Sequence, residues 1–290
     1  MIEILATGPL ATIQDLGRPG LAELGVGVSG AADTRSFTLA NRLVGNAESA
    51  AALELTLGGL AVRFTEHTVV AVTGAPCPLR LAGRAVDMCG PICVAPGQRL
   101  DIGTPSCGLR SYVAVRGGIG VEPVLGARAT DQLSGLGPPP VTAGQALPVG
   151  NAVTGMPAVD HAPQPACHEE PELTVVAGPR HDWFLPEALE LLGSVPFEVT
   201  PRSNRVGLRL HGPALHRSSA AELAPEPLVA GALQVPPDGQ PILFLADHPV
   251  TGGYPVIGVV TAADLPLAAQ ARPGQRVRFR PSEPRGSRCA

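Results

Sequence analysis

The fold is indicated by a stretch that occurs twice, as Pro96-Gly97-Gln98-Arg99-Leu100-Asp101-Ile102 and again as Pro273-Gly274-Gln275-Arg276-Val277-Arg278-Phe279. In each copy Pro-Gly predicts a tight turn, and the residues after it alternate as in a half-buried β-strand. A shorter echo begins at Gly144-Gln145, and Val72-Thr73-Gly74 reappears as Val250-Thr251-Gly252. Common turn chemistry and an internal duplication both explain the repeats. Together they favour two similar β-barrel domains.

Short apolar runs recur along the rest of the chain, separated by Gly or Pro at intervals of about 8–12 residues, which is typical of a mainly β protein with short strands. The runs lie at 61–64, 69–72, 79–81, 112–115, 173–176, 208–210, 242–245, 256–260 and 277–279. Helical patterns are few. The best begins at an N-cap candidate, Asp33, and stops at Gly45, and a second extends from Asp182 to Gly193. So few helices cannot supply the crossovers of a large parallel sheet.

One stretch of the sequence resembles a linker and predicts where the chain divides into domains. Residues 151–171 are rich in Pro, Ala, His and Glu and lack strand periodicity. A chain of 290 residues is long enough for two domains at the usual ~100–200 residues each. We therefore expect an N-terminal domain over 1–160 and a C-terminal domain over 161–290.

Composition excludes several classes of partner. The chain has a net charge of −4 with no basic stripe, and only 3% of its residues are aromatic, so nucleic acid is not expected to bind. It has no positively charged, apolar leader and no run of ~18 apolar residues, so no signal peptide, membrane span or membrane partner is predicted. The expected location is the cytoplasm.

The chain contains 21 Arg and no Lys. Schiff-base, P-loop and kinase chemistry each need a lysine ammonium, so none of them can be carried out by this chain. Any phosphate or carboxyl group must be bound by Arg, by backbone N–H groups or by another polypeptide. Bias in the coding sequence also explains the missing Lys.

Six cysteines occur, at 77, 89, 93, 107, 167 and 289. Cys89 and Cys93 form the only close pair, and no second pair or His doublet follows at the spacing of a zinc site. We therefore predict reduced cysteines, used as small hydrophobic residues, and no metal site.

Residues 25–30 match the pattern G-x-G-x-x-G and precede the Asp33 helix. In a dinucleotide site this pattern directly follows a buried strand and opens a βαβ unit. Here Gly17-Arg18-Pro19-Gly20 stands just upstream and no parallel-sheet pattern follows. A dinucleotide site is therefore not predicted.

Polar side chains in Gly-rich loops are the better candidates for a site, because Gly lets the backbone approach a ligand and frees N–H groups for its oxygens. For any single loop, a structural turn is the alternative. The loops are 12–20 with 27–33, 203–213, 234–241 leading to 247–248, and 251–255. In the second of them, the Arg205 fork can clamp a carboxylate or phosphate, and Asn204 can hold an amide or ureido group. An ion pair between Arg205 and an acid of its own domain is the structural alternative.

Several long motifs in these loops resemble one family. They are Thr-Ile-Gln-Asp-Leu-Gly-Arg-Pro-Gly at 12–20, Gly-Val-Gly-Val-Ser-Gly-Ala-Ala-Asp at 25–33, Ser-Asn-Arg-Val-Gly at 203–207, Gln-Val-Pro-Pro-Asp-Gly-Gln-Pro-Ile at 234–242 and Thr-Gly-Gly-Tyr-Pro at 251–255. The chain resembles the biotin-dependent carboxyltransferase family to which the C subunit of bacterial ATP-dependent 5-oxoprolinase belongs. The same family is known as allophanate hydrolase subunit 2, urea amidolyase-related protein, or antagonist of a sporulation kinase inhibitor.

The resemblance implies a tandem of two cyclophilin-like β-barrel domains, each a carboxyltransferase subdomain, with a few short helices. It also implies partners, namely a B subunit of related cyclophilin-like fold and an A subunit that binds 5-oxoproline. The implied reaction is the ATP-driven opening of 5-oxoproline to glutamate by the complex. ATP then acts at the level of the complex. Biotin can be attached only to another chain, because this one has no Lys.

The resemblance also suggests roles for residues. Arg18 and Arg205 would stabilise developing negative charge, and Asp247 would be the base. The residues expected to bind substrate are Gln14, Asp15, Ser29, Asn204, Gln234 and Tyr254. Two other functions stay open: the carboxyltransferase part of a urea carboxylase-type system, and a regulatory protein that sequesters a kinase-inhibitor partner.

Overall fold

A computed structural model of the chain describes residues 1–164, 166–218 and 221–282. They form two compact units. The first comprises Met1–Gly20 and Val28–His168, and the second comprises Leu21–Gly27 and the chain from Glu169 onward. The sequence predicts a boundary between two carboxyltransferase subdomains at 160/161. In the structure, the main boundary between the two compact units lies between His168 and Glu169.

The first unit is built from two antiparallel sheets and one α-helix among its described residues. Its strands are β1 (Ile2–Thr7), β2 (Leu10–Gln14), β3 (Ala52–Thr56), β4 (Leu60–Phe64), β5 (Thr68–Gly74), β6 (Leu79–Leu81), β7 (Arg84–Val86), β8 (Ile92–Val94), β9 (Arg99–Ile102), β10 (Arg110–Val115) and β11 (Ala146–Leu147). The strand orders are β11-β1-β4-β9-β6-β7 and β2-β3-β10-β5-β8.

The helix of the first unit, α1 (Thr34–Leu43), begins where the sequence predicts. Asp33 caps it, since its Oδ1 accepts a hydrogen bond from the N–H of Ser36 at 2.9 Å. Phe37 on its buried face meets the ring of Tyr112 edge to face, at 6.0 Å between centroids. The cap and this contact hold α1 against the sheet that contains β10.

The second unit contains a closed barrel in the order β12-β19-β16-β17-β14-β13-β20 and a separate ribbon of β15 and β18. The strands are β12 (Glu172–Ala177), β13 (Phe197–Val199), β14 (Gly207–His211), β15 (Glu226–Pro227), β16 (Ala232–Gln234), β17 (Ile242–Phe244), β18 (Thr251–Gly252), β19 (Val256–Val260) and β20 (Arg276–Pro281). Its helices are α2 (Pro186–Ser194) and α3 (Leu265–Ala268). The barrel closes through a parallel pairing of β12 with β20.

The prediction of a mainly β fold with few helices is confirmed, and all nine apolar runs fall on strands. The second unit is a closed barrel, whereas the strands of the first form two sheets. The second predicted helix begins later than expected. A 3-10 turn occupies His181–Trp183, and α2 starts at Pro186, because proline lacks the N–H that a helix interior needs and favours the first helical position.

The repeated stretch contains the same turn in both units. The side-chain oxygen of Gln98 accepts the N–H of Ala95 at 2.8 Å, and that of Gln275 accepts the N–H of Arg272 at 3.0 Å. The echo at Gln145 closes its turn in the same way. Each Gln therefore bonds back three residues and starts a strand, which explains why the motif recurs at β9, β11 and β20.

The cysteine prediction is wrong in one respect. Cys107 and Cys167 form a disulfide that links positions 60 residues apart, a pairing that sequence spacing alone could not indicate. Cys77 and Cys89 are free and buried, as expected, whereas the free thiol of Cys93 is exposed. Cys289 lies outside the described residues.

Burial gives Cys77 a testable pH dependence. Desolvation is the main cause that raises the pKa of its thiol from 9.0 to about 11, and a hydrogen bond with Ser111 opposes the rise. Because the folded pKa exceeds the unfolded one, this contribution to stability is complete below pH 9 and is lost as the pH rises to 11. The loss should reach about 2–3 kcal/mol.

Urea titrations of wild type and of Cys77→Ala between pH 8 and 11 should show a smaller fall in unfolding free energy for the variant. Cys93→Ala is the control, because it removes an exposed thiol and should keep the wild-type pH dependence. Equal slopes in Cys77→Ala and wild type would contradict the assignment.

Candidate functional site

The first group of candidate residues lies where β2 ends. Two backbone hydrogen bonds join this loop to the segment before α1, one from the N–H of Arg18 to Val28 O at 2.8 Å and one from that of Ala31 to Asp15 O at 2.9 Å. Gly17 is required between them, because its φ is +81° and a Cβ there would stand 2.4 Å from Val28 O. The Gly-rich motif thus packs one loop tightly against the other.

Asp15 shapes this loop through its carboxylate. One oxygen accepts the N–H of Gly17 at 2.8 Å, and the other accepts the N–H of Arg128. Both oxygens are therefore used to fold the loop and to hold the segment that begins at Arg128. Each carboxylate oxygen has two lone pairs, so a bond to substrate would be made in addition to these contacts.

Gln14 and Arg18 both bind carbonyl groups of that same segment. The Nε2 atom of Gln14 donates to Thr130 O at 3.0 Å, and the Nη2 atom of Arg18 donates to Ala129 O at 2.6 Å. Both side chains are buried. The structure therefore brings Gln14, Asp15 and Arg18 together around residues 128–130.

Ser29 joins this group from the neighbouring loop. Its hydroxyl donates to Thr130 O at 3.4 Å. Its backbone has a φ of +55°, which residues other than Gly rarely adopt. Four of the predicted residues thus contact one short segment.

A buried polar network supports the second of these loops. Glu54 on β3 accepts hydrogen bonds from the N–H of Ala32 at 2.9 Å and from the hydroxyl of Tyr112 at 2.8 Å. The Tyr112 oxygen in turn accepts the N–H of Asp33 at 2.8 Å. Arg110 pairs with Glu54 at 3.5 Å, with both side chains buried. Burial, and then the charge of Glu54, raise the pKa of Tyr112 well above its ordinary value, so the network holds a neutral phenol.

In the second unit, Arg205 and Asp247 form a buried two-bond ion pair. Nε reaches Oδ2 and Nη2 reaches Oδ1, each at 2.9 Å, and the side chains are 1% and 0% exposed. The N–H of Asp247 also donates to Arg205 O. The structural alternative for Arg205, an ion pair within its domain, is therefore what the structure shows. Any role of Asp247 as a base would therefore fall to a carboxylate that is already bonded to Arg205.

Asn204 is exposed and shapes the turn before β14. Its side-chain oxygen accepts the N–H groups of Val206 at 2.8 Å and Gly207 at 3.4 Å. An Asn in this arrangement closes a local turn with its oxygen. Its amide N–H₂ remains the part of the side chain that could meet a ligand.

Gln234 and Tyr254 form a second pair in the barrel unit. The Nε2 atom of Gln234 donates to Tyr254 O at 3.0 Å. Tyr254 is 44% exposed, and the guanidinium of Arg217 lies 5.7 Å from the centroid of its ring. Arg217 also donates to Val235 O at 2.6 Å, which fixes it beside the ring.

The two barrel pairs lie at opposite ends of β17. Gln234 faces Ile242, the first residue of that strand, whereas Asp247 follows its last residue, Phe244. Gly207, which follows the Arg205 turn, faces Phe244. The structure thus brings Arg205 to Asp247 and Gln234 to Tyr254, but it separates these pairs along the strand.

Comparison with known proteins places these residues in a family. The model of the carboxyltransferase domain, subdomain A and B, matches residues 24–281. The chain belongs to the carboxyltransferase domain family. All the candidate residues except Gln14, Asp15 and Arg18 lie within the matched range.

Relatives of this carboxyltransferase domain occur alone and in much larger proteins. It is 36% identical to the C subunit of 5-oxoprolinase from Escherichia coli (strain K12) over 96% of this chain and 90% of that protein. It is 34% identical to urea amidolyase of Lachancea kluyveri over 96% of this chain but only 17% of that protein. The crystal structure of the K. lactis urea amidolyase has the same fold, with a TM-score of 0.91 and 30% identity over 97% of this chain and 19% of that one.

Several polar residues of the carboxyltransferase domain were not predicted as site residues. Glu54 had a detectable signal, since it is an acid between leucines in an apolar strand. Arg217 and Thr130 had no such signal in the sequence. Arg217 contacts the ring of Tyr254, and Thr130 bonds to Gln14 across 116 positions of sequence. Among the described residues, no group of three or more potential metal ligands occurs, and no helix is long and apolar enough to cross a membrane.

Proposed function

We propose that this chain is the C subunit of an ATP-dependent 5-oxoprolinase, a complex that opens 5-oxoproline to glutamate. The observation that carries the proposal is its likeness to the C subunit of the Escherichia coli 5-oxoprolinase over 96% of this chain and 90% of that relative. The buried group of Gln14, Asp15 and Arg18, and the buried pair of Arg205 and Asp247, offer polar side chains for such chemistry.

The reaction explains why a complex is needed. The ring amide of 5-oxoproline is a stabilised lactam, and transient phosphorylation of its carbonyl oxygen would make it easy to hydrolyse. This chain has no Lys to bind ATP phosphates in the manner of a P-loop or a kinase. We therefore assign ATP to the complex, 5-oxoproline binding to its A subunit, and a fold related to that of this chain to its B subunit.

Within this chain, Arg18 in the first unit and Arg205 in the second are each proposed to stabilise developing negative charge. Gln234 and the amide N–H₂ of Asn204 would orient an amide or ureido group. Gln14, Ser29 and Tyr254 would contact substrate, and Asp15 would shape their loop. Asp247 is proposed as the base, and its two bonds to Arg205 also hold that guanidinium in place.

Reconstitution tests the proposal. The chain is co-expressed with the A and B subunits, and glutamate release from 5-oxoproline is measured with and without ATP. We expect ATP-dependent release that falls to background when this chain is omitted. Unchanged release without it would overturn a catalytic role and favour the regulatory alternative, in which the same loops bind a partner.

A second candidate is the carboxyltransferase part of a urea carboxylase-type system, in which carboxybiotin on another chain passes its carboxyl group to urea. Likeness to two urea amidolyases and to a putative urea carboxylase favours it. Supplying urea and a carrier that bears carboxybiotin, in place of 5-oxoproline, distinguishes the two. Carboxylation of urea without activity on 5-oxoproline would replace the first candidate by the second.

A further inference from the structure

Arg18 differs from the other large buried arginines of the chain. Three arginines are among the largest fully buried side chains, namely Arg18, Arg110 and Arg205. Arg110 pairs with Glu54, and Arg205 pairs with Asp247. In the described part of the chain, Arg18 has no carboxylate partner, and its Nε and Nη1 atoms have no hydrogen-bond acceptor.

This arrangement is costly unless something else binds Arg18. A guanidinium keeps its charge at every pH that proteins tolerate, so it cannot relieve burial by losing a proton. A buried charge without a counter-charge costs several kcal/mol. Arg18 is only 2% exposed, and a single carbonyl oxygen, that of Ala129, offsets little of this cost.

The remaining hydrogens of Arg18 suit an oxyanion. Nη2 has two N–H groups, and Ala129 O accepts one of them. The other is parallel either to the Nε N–H or to one N–H of Nη1. In both cases one edge of the guanidinium keeps two parallel donors, which is the geometry that binds two oxygens of a carboxylate or phosphate.

Two further unsatisfied groups belong to Thr130, which is on this segment, and to Gln14, which ends β2 and bonds to Thr130 O. Gln14 Oε1 and Thr130 Oγ1 are buried and have no hydrogen-bond partner among the residues that the structure describes. The orientation of Gln14 is fixed, since its Nε2 donates to Thr130 O and to Thr12 Oγ1, both at 3.0 Å. Its Oε1 can therefore only accept a hydrogen bond, whereas the Thr130 hydroxyl can donate or accept.

Gly137 limits how large a ligand can be. Its φ is +84°, and a Cβ there would stand 2.0 Å from Ala129 O and 3.2 Å from Arg18 Nη2. The backbone thus comes close to the guanidinium on that side, and little space is left for a bulky group.

From these observations we propose that Arg18, Gln14 and Thr130 form a binding site for a small oxyanion that carries its own hydrogen-bond donor. Two oxygens of the anion accept from Arg18, and its O–H or N–H donates to Gln14 Oε1. Bicarbonate, hydrogen phosphate and a carboxyl group attached to N–H share this chemistry. The inference extends the role proposed for Arg18, but the site is complete in this chain and needs no partner to bind an anion.

Thermal unfolding of the purified chain at pH 8 tests the site with four salts at equal ionic strength: sodium bicarbonate, phosphate, acetate and chloride. We expect bicarbonate or phosphate to raise Tm saturably by about 3 °C or more relative to chloride. If bicarbonate acts at a lower concentration than phosphate, the site favours a carboxyl group. If phosphate acts at the lower concentration, it favours a phosphoryl group. Acetate has no donor at this pH and should act more weakly. Acetate as effective as bicarbonate and phosphate would overturn the role of Gln14.

Variants separate specific binding from a general salt effect. Arg18→Met keeps the side-chain length without the charge, so it should abolish the anion-dependent rise and should have a Tm in chloride equal to or above that of wild type. Thr130→Val should weaken the rise, while Arg63→Met, at an exposed arginine, should keep it. A rise of equal size in wild type and Arg18→Met would overturn the proposal.

Direct titration calorimetry of wild type with bicarbonate and phosphate gives an answer even if a variant fails to fold. Absence of saturable heat for both anions would overturn the site. Glutamate release by the reconstituted complex is a separate measurement. Failure of anion binding and failure of the proposed function are therefore distinguishable results.

Discussion

The Asp247→Asn variant is expected to have an unfolding free energy about 3–5 kcal/mol below that of wild type. Asn has the size of Asp but no charge, so Arg205 stays buried after losing the carboxylate that accepts two of its hydrogen bonds. The only tryptophan of the chain, Trp183, lies in the same unit. Its fluorescence during urea unfolding therefore reports the loss of stability in the unit that contains Arg205 and Asp247.

Glu172→Gln is the matched control, because Glu172 and Arg280 form an exposed ion pair in that unit. Such pairs contribute about 0–1 kcal/mol. The double variant Arg205→Met/Asp247→Leu removes both charges and should regain much of the stability. If Arg205 also acts on substrate, this variant stays inactive in the complex. Equal effects of Asp247→Asn and Glu172→Gln would refute the importance of the pair.

Glu54→Gln should have an effect of similar size in the first unit, about 3–5 kcal/mol, because it leaves Arg110 buried without its counter-charge. It also disturbs the oxygen that accepts from Ala32 and Tyr112. Hydrogen exchange read by mass spectrometry gives the local result. The peptide that contains Ala32 and Asp33 should lose protection by more than about tenfold, since each 1.4 kcal/mol is a factor of ten.

The control is Glu3→Gln, at an exposed pair with Arg63 in the same unit. It should change the free energy of unfolding by no more than about 1 kcal/mol. It should leave the hydrogen exchange of the loop before α1 as in wild type. If protection at Ala32 survives in Glu54→Gln, the loop is held by contacts other than this network.

Much of the fold was predictable because it depends on local chemistry. Pro-Gly-Gln turns, alternating strands and the Asp33 cap each act within a few residues, and each appears where the sequence indicates it. The start of α2 and the disulfide were missed for different reasons. The first depends on Pro186, which favours the first helical position, and the second depends on which Cys residues meet in space.

The site was only partly predictable, because burial and pairing are long-range. The sequence singled out Arg18 and Arg205 alike as arginines in Gly-rich loops. Nothing in either loop indicates that Arg205 pairs with Asp247, 42 positions away. Nor does either loop indicate that Arg18 bonds to the carbonyl of Ala129, 111 positions away, and has no carboxylate partner in the described part of the chain. Their chemical difference, one neutralised and one not, comes entirely from the fold.

The disulfide between Cys107 and Cys167 has a practical consequence for mapping the chain with proteases. Residues 132–135 between these cysteines are exposed. A single cut there leaves both fragments covalently joined, so the nicked protein migrates as one species on a non-reducing gel and as two after reduction.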